Sequence, residues 1–130
     1  MADPKTLYEI NLVDIEETQT RDELIIAEPR AAVIKISTAG AYKRGTLLME
    51  SSTAGEYVNA TAAGTANKDC VILADDITIL SNEYAEAAAY FSGTFKADKV
   101  ILPYEQEADS HDTLIAAAAN NLRKQNIILA

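Results

Sequence analysis

Cys70-Val71-Ile72-Leu73-Ala74-Asp75-Asp76-Ile77-Thr78-Ile79-Leu80 is the most apolar non-repetitive run of the chain, and it constrains the fold more than any other stretch. Its first half, Val71-Ile72-Leu73, is a continuous apolar block, the pattern of a strand covered on both faces. Beyond Asp75-Asp76 the pattern changes to alternation, Ile77 and Ile79 flanking Thr78, as in a half-buried strand. The two acids therefore predict a bend or an interruption. A run of this kind belongs at the centre of a small, mainly β domain and brings no chemistry of its own.

The flanking segments extend that reading. Ala32-Val33-Ile34-Lys35-Ile36-Ser37 is a short strand with Ile34 and Ile36 inward, and Thr38-Ala39-Gly40 closes it as a turn. Lys43-Arg44-Gly45 is a second turn, residues 46–49 a strand, residues 51–55 a loop, and Glu56-Tyr57-Val58 another strand. Residues 59–69, small and polar with Gly64 in the middle, read as a surface loop. Short strands at regular intervals with Gly-bearing turns indicate an antiparallel sheet or barrel. The Ala-rich stretch 83–90 is open to two readings. Ala and Glu favour helix, whereas Ala87, Ala89 and Phe91 alternate and Ser92-Gly93-Thr94 breaks a helix at once. Strand is preferred over residues 88–91, with a longer strand after Gly93 through Val100-Ile101-Leu102 to Pro103.

One helix is expected near the C-terminus. Asp109, Ser110 and Asp112 all offer N-cap oxygens. Leu114, Ala118 and Leu122 fall on one face, with Ile115 and Ala119 beside them, and Arg123 and Lys124 occupy the last turn. Asn126 can close the helix, and Ile127-Ile128-Leu129 then returns to the sheet as a short strand.

The first 28 residues differ in kind. They hold eight acids and two bases, a net −6 of the chain's −9. Tyr8, Ile10 and Leu12 would share one face of a strand, and the apolar face flips at Val13 and Ile15, as a bulge would allow. A polar run, residues 16–23, then separates this patch from Leu24-Ile25-Ile26. The segment reads as an acidic N-terminal arm, 1–28, with strand-forming ability, followed by the domain proper, 29–130. By composition it is expected to stay disordered until a partner orders it. The alternative is an ordinary first hairpin of the domain.

Several functions are disfavoured by composition. A net charge of −9 with scattered Lys and Arg opposes nucleic-acid binding. No run is long and apolar enough for a membrane span, and Met1-Ala2-Asp3-Pro4-Lys5 lacks a signal-peptide pattern, so a soluble protein made in a cytoplasm is expected. The one cysteine, Cys70, abuts an apolar strand and is expected to be a buried, inert thiol. His111, the one histidine, sits in a polar helix start with no recognisable nucleophile or orienting carboxylate. Asp75-Asp76 lacks the alternating oxygen ligands of a calcium loop, no Cys/His spacing suits zinc, and the five glycines form no phosphate-binding loop. No catalytic residue, metal or cofactor is expected, and the chain does not read as an enzyme.

The order of motifs resembles the head decoration (capsid cement) proteins of tailed bacteriophages, the family that includes the lambda head protein D. The resemblance rests on Lys43-Arg44-Gly45-Thr46-Leu47-Leu48, Glu56-Tyr57-Val58, Val71-Ile72-Leu73-Ala74, Tyr90-Phe91-Ser92-Gly93-Thr94-Phe95 and Val100-Ile101-Leu102, then an Ala-rich helix and a final apolar strand. It covers roughly residues 43–130, and its specificity lies in order and spacing rather than in any one motif. It implies a small β-rich, β-tulip-like domain with one C-terminal helix and an N-terminal arm. It also implies a structural virion protein on the outer surface of the expanded capsid, made in the host bacterial cytoplasm. Such a protein sits as a homotrimer at three-fold or quasi-three-fold positions and links neighbouring major capsid protein subunits. Under this resemblance the arm contacts the capsid, through Leu7, Tyr8, Ile10, Leu12, Val13 and Ile15, by adding a strand to a capsid-protein edge. The alternative is a β-rich glycan- or peptide-binding module of a phage fibre or cell-surface system, with an aromatic-lined groove.

Overall fold

The computed structural model describes residues 24–106 and 108–130. In chain order its strands are β1 (Ile25–Ile36), β2 (Gly40–Tyr42), β3 (Leu47–Glu50), β4 (Glu56–Asn59), β5 (Cys70–Leu73), β6 (Ile77–Ile79), β7 (Ala85–Phe95) and β8 (Ile127–Leu129). A four-residue helix α1 (Gly64–Asn67) precedes β5, and helix α2 (His111–Leu122) precedes β8. The protein is mainly β with one C-terminal helix of substantial length, as the sequence pattern requires.

Five strands form a closed ring. β1 pairs in parallel with β4; β4, β3, β5 and β7 are joined antiparallel in that order, and β7 returns antiparallel to β1. β8 adds in parallel to the far half of β7 through Gly93↔Ile127, Thr94↔Ile128 and Phe95↔Leu129. Closure removes most free edges.

β5 is buried at every position. Val71 and Leu73 join Ile34, Ile36, Leu48 and Ala89 on the inner face of the ring, whereas Ile72 points outward against Leu122, Ala118 and Ile127. Two cores thus share one strand, which is why Val71-Ile72-Leu73 carries no polar position. After Asp75-Asp76, β6 leaves the ring and pairs antiparallel with β2, and Tyr42 and Ile79 contribute to the inner core.

The Ala-rich stretch is strand. Ala85, Ala87 and Ala89 all pack with the inner core, because a ring of few strands leaves little room for side chains inside it. That constraint overrides the helical propensity of Ala and Glu. Two expectations need correction here. The strand begins at Ala85 and runs through Gly93 to Phe95 without a break. After Phe95 the chain forms a 3-10 turn, Ala97–Lys99, and then a single bridge, Ile101 with Thr46, in place of a long strand. Gly93, with φ +136°, is the device that lets β7 continue. A side chain at that position would meet Pro29 Cα at 2.9 Å and Glu28 O at 3.1 Å.

Three further differences concern loops and limits. Residues 59–69 are not a plain surface loop, since they include α1 and bury Ala60 and Thr65. Gly40 is the first residue of β2 rather than the end of a turn. Residues 24–28, placed in the arm by composition, lie in the fold: Leu24 is 2 % exposed in the outer core, its carbonyl accepts from the Lys96 N–H at 2.8 Å, and β1 begins at Ile25. Register with β7 continues across Pro29, with shifts on either side of it, which is how a proline sits inside a strand.

The C-terminal helix obeys its sequence signals. Ser110 is the N-cap and its hydroxyl accepts from the Thr113 N–H. Ile115, Ala118 and Leu122 are buried on the face toward β5 and β7, and Leu114 packs at its margin. A 3-10 turn, Arg123–Gln125, ends at Asn126 in the left-handed conformation, φ 65°, which Asn tolerates better than most residues.

Candidate interaction surface

An open groove of ≈ 700 Å³ lies where β1, β7 and the approach to β8 meet. Its position results from three backbone irregularities. Glu28 (φ 52°), Gly93 (φ 136°) and Asn126 (φ 65°) all depart from ordinary strand conformation and all line it. β1 carries register shifts at Ile25/Ala27, Ala27/Arg30 and Arg30/Ala31, so its chain bulges away from β7 there. The Gly93 N–H donates to the Asn126 carbonyl at 3.0 Å and holds the opposite wall.

The lining is mixed. Phe91 (43 % exposed) and Ile128 (37 %) provide the apolar surface. Glu28, Arg30, Gln125 and Asn126 provide charge and amide groups around it. Gln125 is fixed from behind, its Oε1 accepting from the Cys70 N–H at 2.7 Å and its Nε2 donating to the Lys68 carbonyl at 3.1 Å. Such a groove offers an apolar seat, a guanidinium and several hydrogen-bonding groups, which suits recognition of an extended chain. One aromatic ring, Phe91, lines it, short of the aromatic lining expected of a glycan-binding module.

The chemically notable side chains lie elsewhere. Cys70 is 2 % exposed, and burial pushes its thiol up to about 11, so it carries little thiolate at neutral pH. His111 Nδ1 pairs with Glu105 Oε1 at 2.5 Å and its Nε2 lies 3.3 Å from the Ala97 carbonyl. That hydrogen bond to Glu105 is the first cause holding the imidazole above its ordinary value; partial burial opposes it. Asp76 Oδ1 accepts from the Arg44 N–H at 2.7 Å and so has a structural role. Among the described residues, no group of three or more His, Cys, Asp and Glu could hold a metal ion.

The arm residues singled out by sequence, Leu7, Tyr8, Ile10, Leu12, Val13 and Ile15, lie outside the described residues. Sequence reasoning missed the groove. Its one usable signal was the pair Gly93 and Asn126, two residue types suited to left-handed backbone near apolar Phe91 and Ile128. No protein-family model matches the chain, and no curated protein sequence matches it.

Proposed function

We propose that this protein is a structural virion protein that binds the outside of an expanded phage capsid and links neighbouring major capsid protein subunits. The reading includes assembly as trimers at three-fold or quasi-three-fold sites. The observation that carries it is the order of motifs, taken with the elements they occupy. Lys43 to Leu48 form a turn and the start of β3, and Glu56-Tyr57-Val58 is most of β4. Val71-Ile72-Leu73 is most of β5, the Tyr90 to Phe95 motif is the second half of β7, and α2 and β8 come next in order. Val100-Ile101-Leu102 provides only the single bridge of Ile101 with Thr46, and the other motifs lie on strands or the helix in the order the resemblance requires.

The test is co-sedimentation with expanded, undecorated heads of the source phage, comparing the full chain with one lacking residues 1–15. That deletion spares Leu24 and β1, which loss of residues 1–28 would damage. Saturable binding by the full chain that is lost on deletion supports the reading and the arm contact. Absence of binding to heads shown to be expanded overturns it. The groove beside Phe91 supports a second reading, a peptide-binding module. Under that reading a monomer titrated with extended peptides shows amide shifts at Arg30, Ser92 and Ile128.

A further inference from the structure

Among the described residues, β1 has one open edge. The ring closes on it at its far end only, through Lys35↔Glu56 and Ile36↔Tyr57 of β4. Among the described residues, residues 26–33 have no strand on the side opposite β7, and all eight are exposed.

Two hydrogen bonds fix which backbone groups face that open side. The Lys35 N–H is directed away from β7, to the Gly55 carbonyl at 3.3 Å. The Ala88 carbonyl, opposite Val33, is directed away from β1, to the Ala74 N–H at 3.0 Å. Val33↔Ala88 is therefore a non-hydrogen-bonded pair, and so is Ala31↔Tyr90 two residues on. The N–H and C=O of Val33 and of Ala31 point outward, beside the Val33 side chain, 68 % exposed.

Proteins usually blunt such an edge. Here the lower half is blunted: Glu28 has φ 52°, Pro29 has no N–H, and Arg30 adds a charge. Ala31, Ala32 and Val33 carry none of these devices.

We propose that residues 6–15 of the same chain dock on this edge as an added strand, antiparallel to β1. The tether places them there. The 23 residues that precede the described domain end at Leu24, which is pinned in the core immediately before β1. Residues 16–23 are long enough to connect the two strands of a loose hairpin, and closing such a connection costs little more than closing a shorter one. The local concentration of the docked segment is in the millimolar range for so short a link. Residues 6–15 span about 33 Å when extended, enough to cover the open part of β1. Their Tyr8/Ile10/Leu12 alternation supplies an apolar face for Val33 and Ala31. This docking concerns the chain off a capsid and does not rest on the capsid reading; residues 6–15 cannot pair with β1 and with a capsid-protein edge at the same time, so binding of the arm to a capsid would release β1.

Amide hydrogen exchange in the full chain tests it, with Tyr8→Pro, Ile10→Pro and Leu12→Pro combined as the comparison. Pro removes the backbone donors a strand needs. The amides of Ala31 and Val33 should exchange at least tenfold more slowly in the unsubstituted chain, equally at low and high protein concentration, with Ile72 and Leu73 unchanged. A second variant, Tyr8→Ser with Ile10→Ser and Leu12→Ser, keeps the donors and should lose part of the protection. Equal exchange in all three chains overturns the proposal. Protection that grows with concentration also overturns it, and assigns the edge to a second copy.

Discussion

The Arg44 backbone N–H donates to Asp76 Oδ1 at 2.7 Å, tying the turn before β3 to the break between β5 and β6. The Arg44 guanidinium adds a second tie, donating from Nη1 to the Ala74 carbonyl at 2.6 Å and lying over the Tyr90 ring. The acids that interrupt the apolar run are thus unequal. Asp76 replaces a strand partner for Arg44, while Asp75 is exposed and has no side-chain partner among the described residues. Asp76→Ala should lower the unfolding free energy by about 0.5–1.5 kcal/mol, the range for one hydrogen bond. Asp75→Ala should stay within about 0.5 kcal/mol. Urea unfolding of both variants checks this; equal losses would refute the assignment.

Gly93 and Gly55 separate two reasons for needing glycine. Both have positive φ, 136° and 83°. Nothing lies within 4 Å of a Cβ at Gly55, whereas one at Gly93 would meet Pro29 Cα at 2.9 Å and Glu28 O at 3.1 Å. Ala at either position adds backbone strain, and at Gly93 it also forces β1 away from β7, an overpacking cost of about 1–3 kcal/mol. Gly93→Ala should therefore be the more destabilising by at least about 1 kcal/mol in thermal or urea unfolding.

Gln125 acts as a short strand edge made from a side chain. It satisfies the Cys70 N–H at 2.7 Å and the Lys68 carbonyl at 3.1 Å, the first rung of β5. Removing both bonds in Gln125→Ala should cost roughly 1–3 kcal/mol. It should also speed exchange of the Cys70 amide selectively. Gln125→Glu keeps the acceptor for Cys70 and loses the donor to Lys68, so it should fall between the two.

Much of this architecture was legible because it rests on local pattern. Val71-Ile72-Leu73 announced a strand with two covered faces, the spacing of Leu114, Ala118 and Leu122 announced α2, and Asn126 marked its end. What stayed hidden depends on closure of the ring. Residues 83–90 stayed open between helix and strand, with strand preferred only from residue 88, until the narrow interior of the ring explained why Ala85, Ala87 and Ala89 must be small. Leu24 read as part of an arm because its acidic neighbours are local, while its burial depends on the distant Lys96 segment. The groove was hidden for the same reason, since Phe91, Arg30 and Ile128 come from three separate strands.

His111 gives stability a pH dependence whose sign can be worked out. The Glu105 carboxylate and the Ala97 carbonyl are both acceptors, so the two ring nitrogens both serve as donors only when the imidazole is charged. Its position at the start of α2 opposes that charge, because a helix N-terminus disfavours cations. The hydrogen bond to Glu105 prevails and holds the folded-state value above the ordinary 6.5. The stabilisation is therefore fully present below about pH 6.5, where the unfolded chain is also protonated, and is lost as pH rises through the folded-state value. Comparing wild type with His111→Gln by urea unfolding, the wild-type advantage should be largest near pH 6 and shrink toward pH 8.5. NMR titration of the ring should show a midpoint above 6.5. Glu105→Gln should bring that midpoint down while leaving α2 intact, because Ser110 rather than His111 caps the helix. A midpoint unmoved by Glu105→Gln would mean that the carboxylate is not what holds the proton.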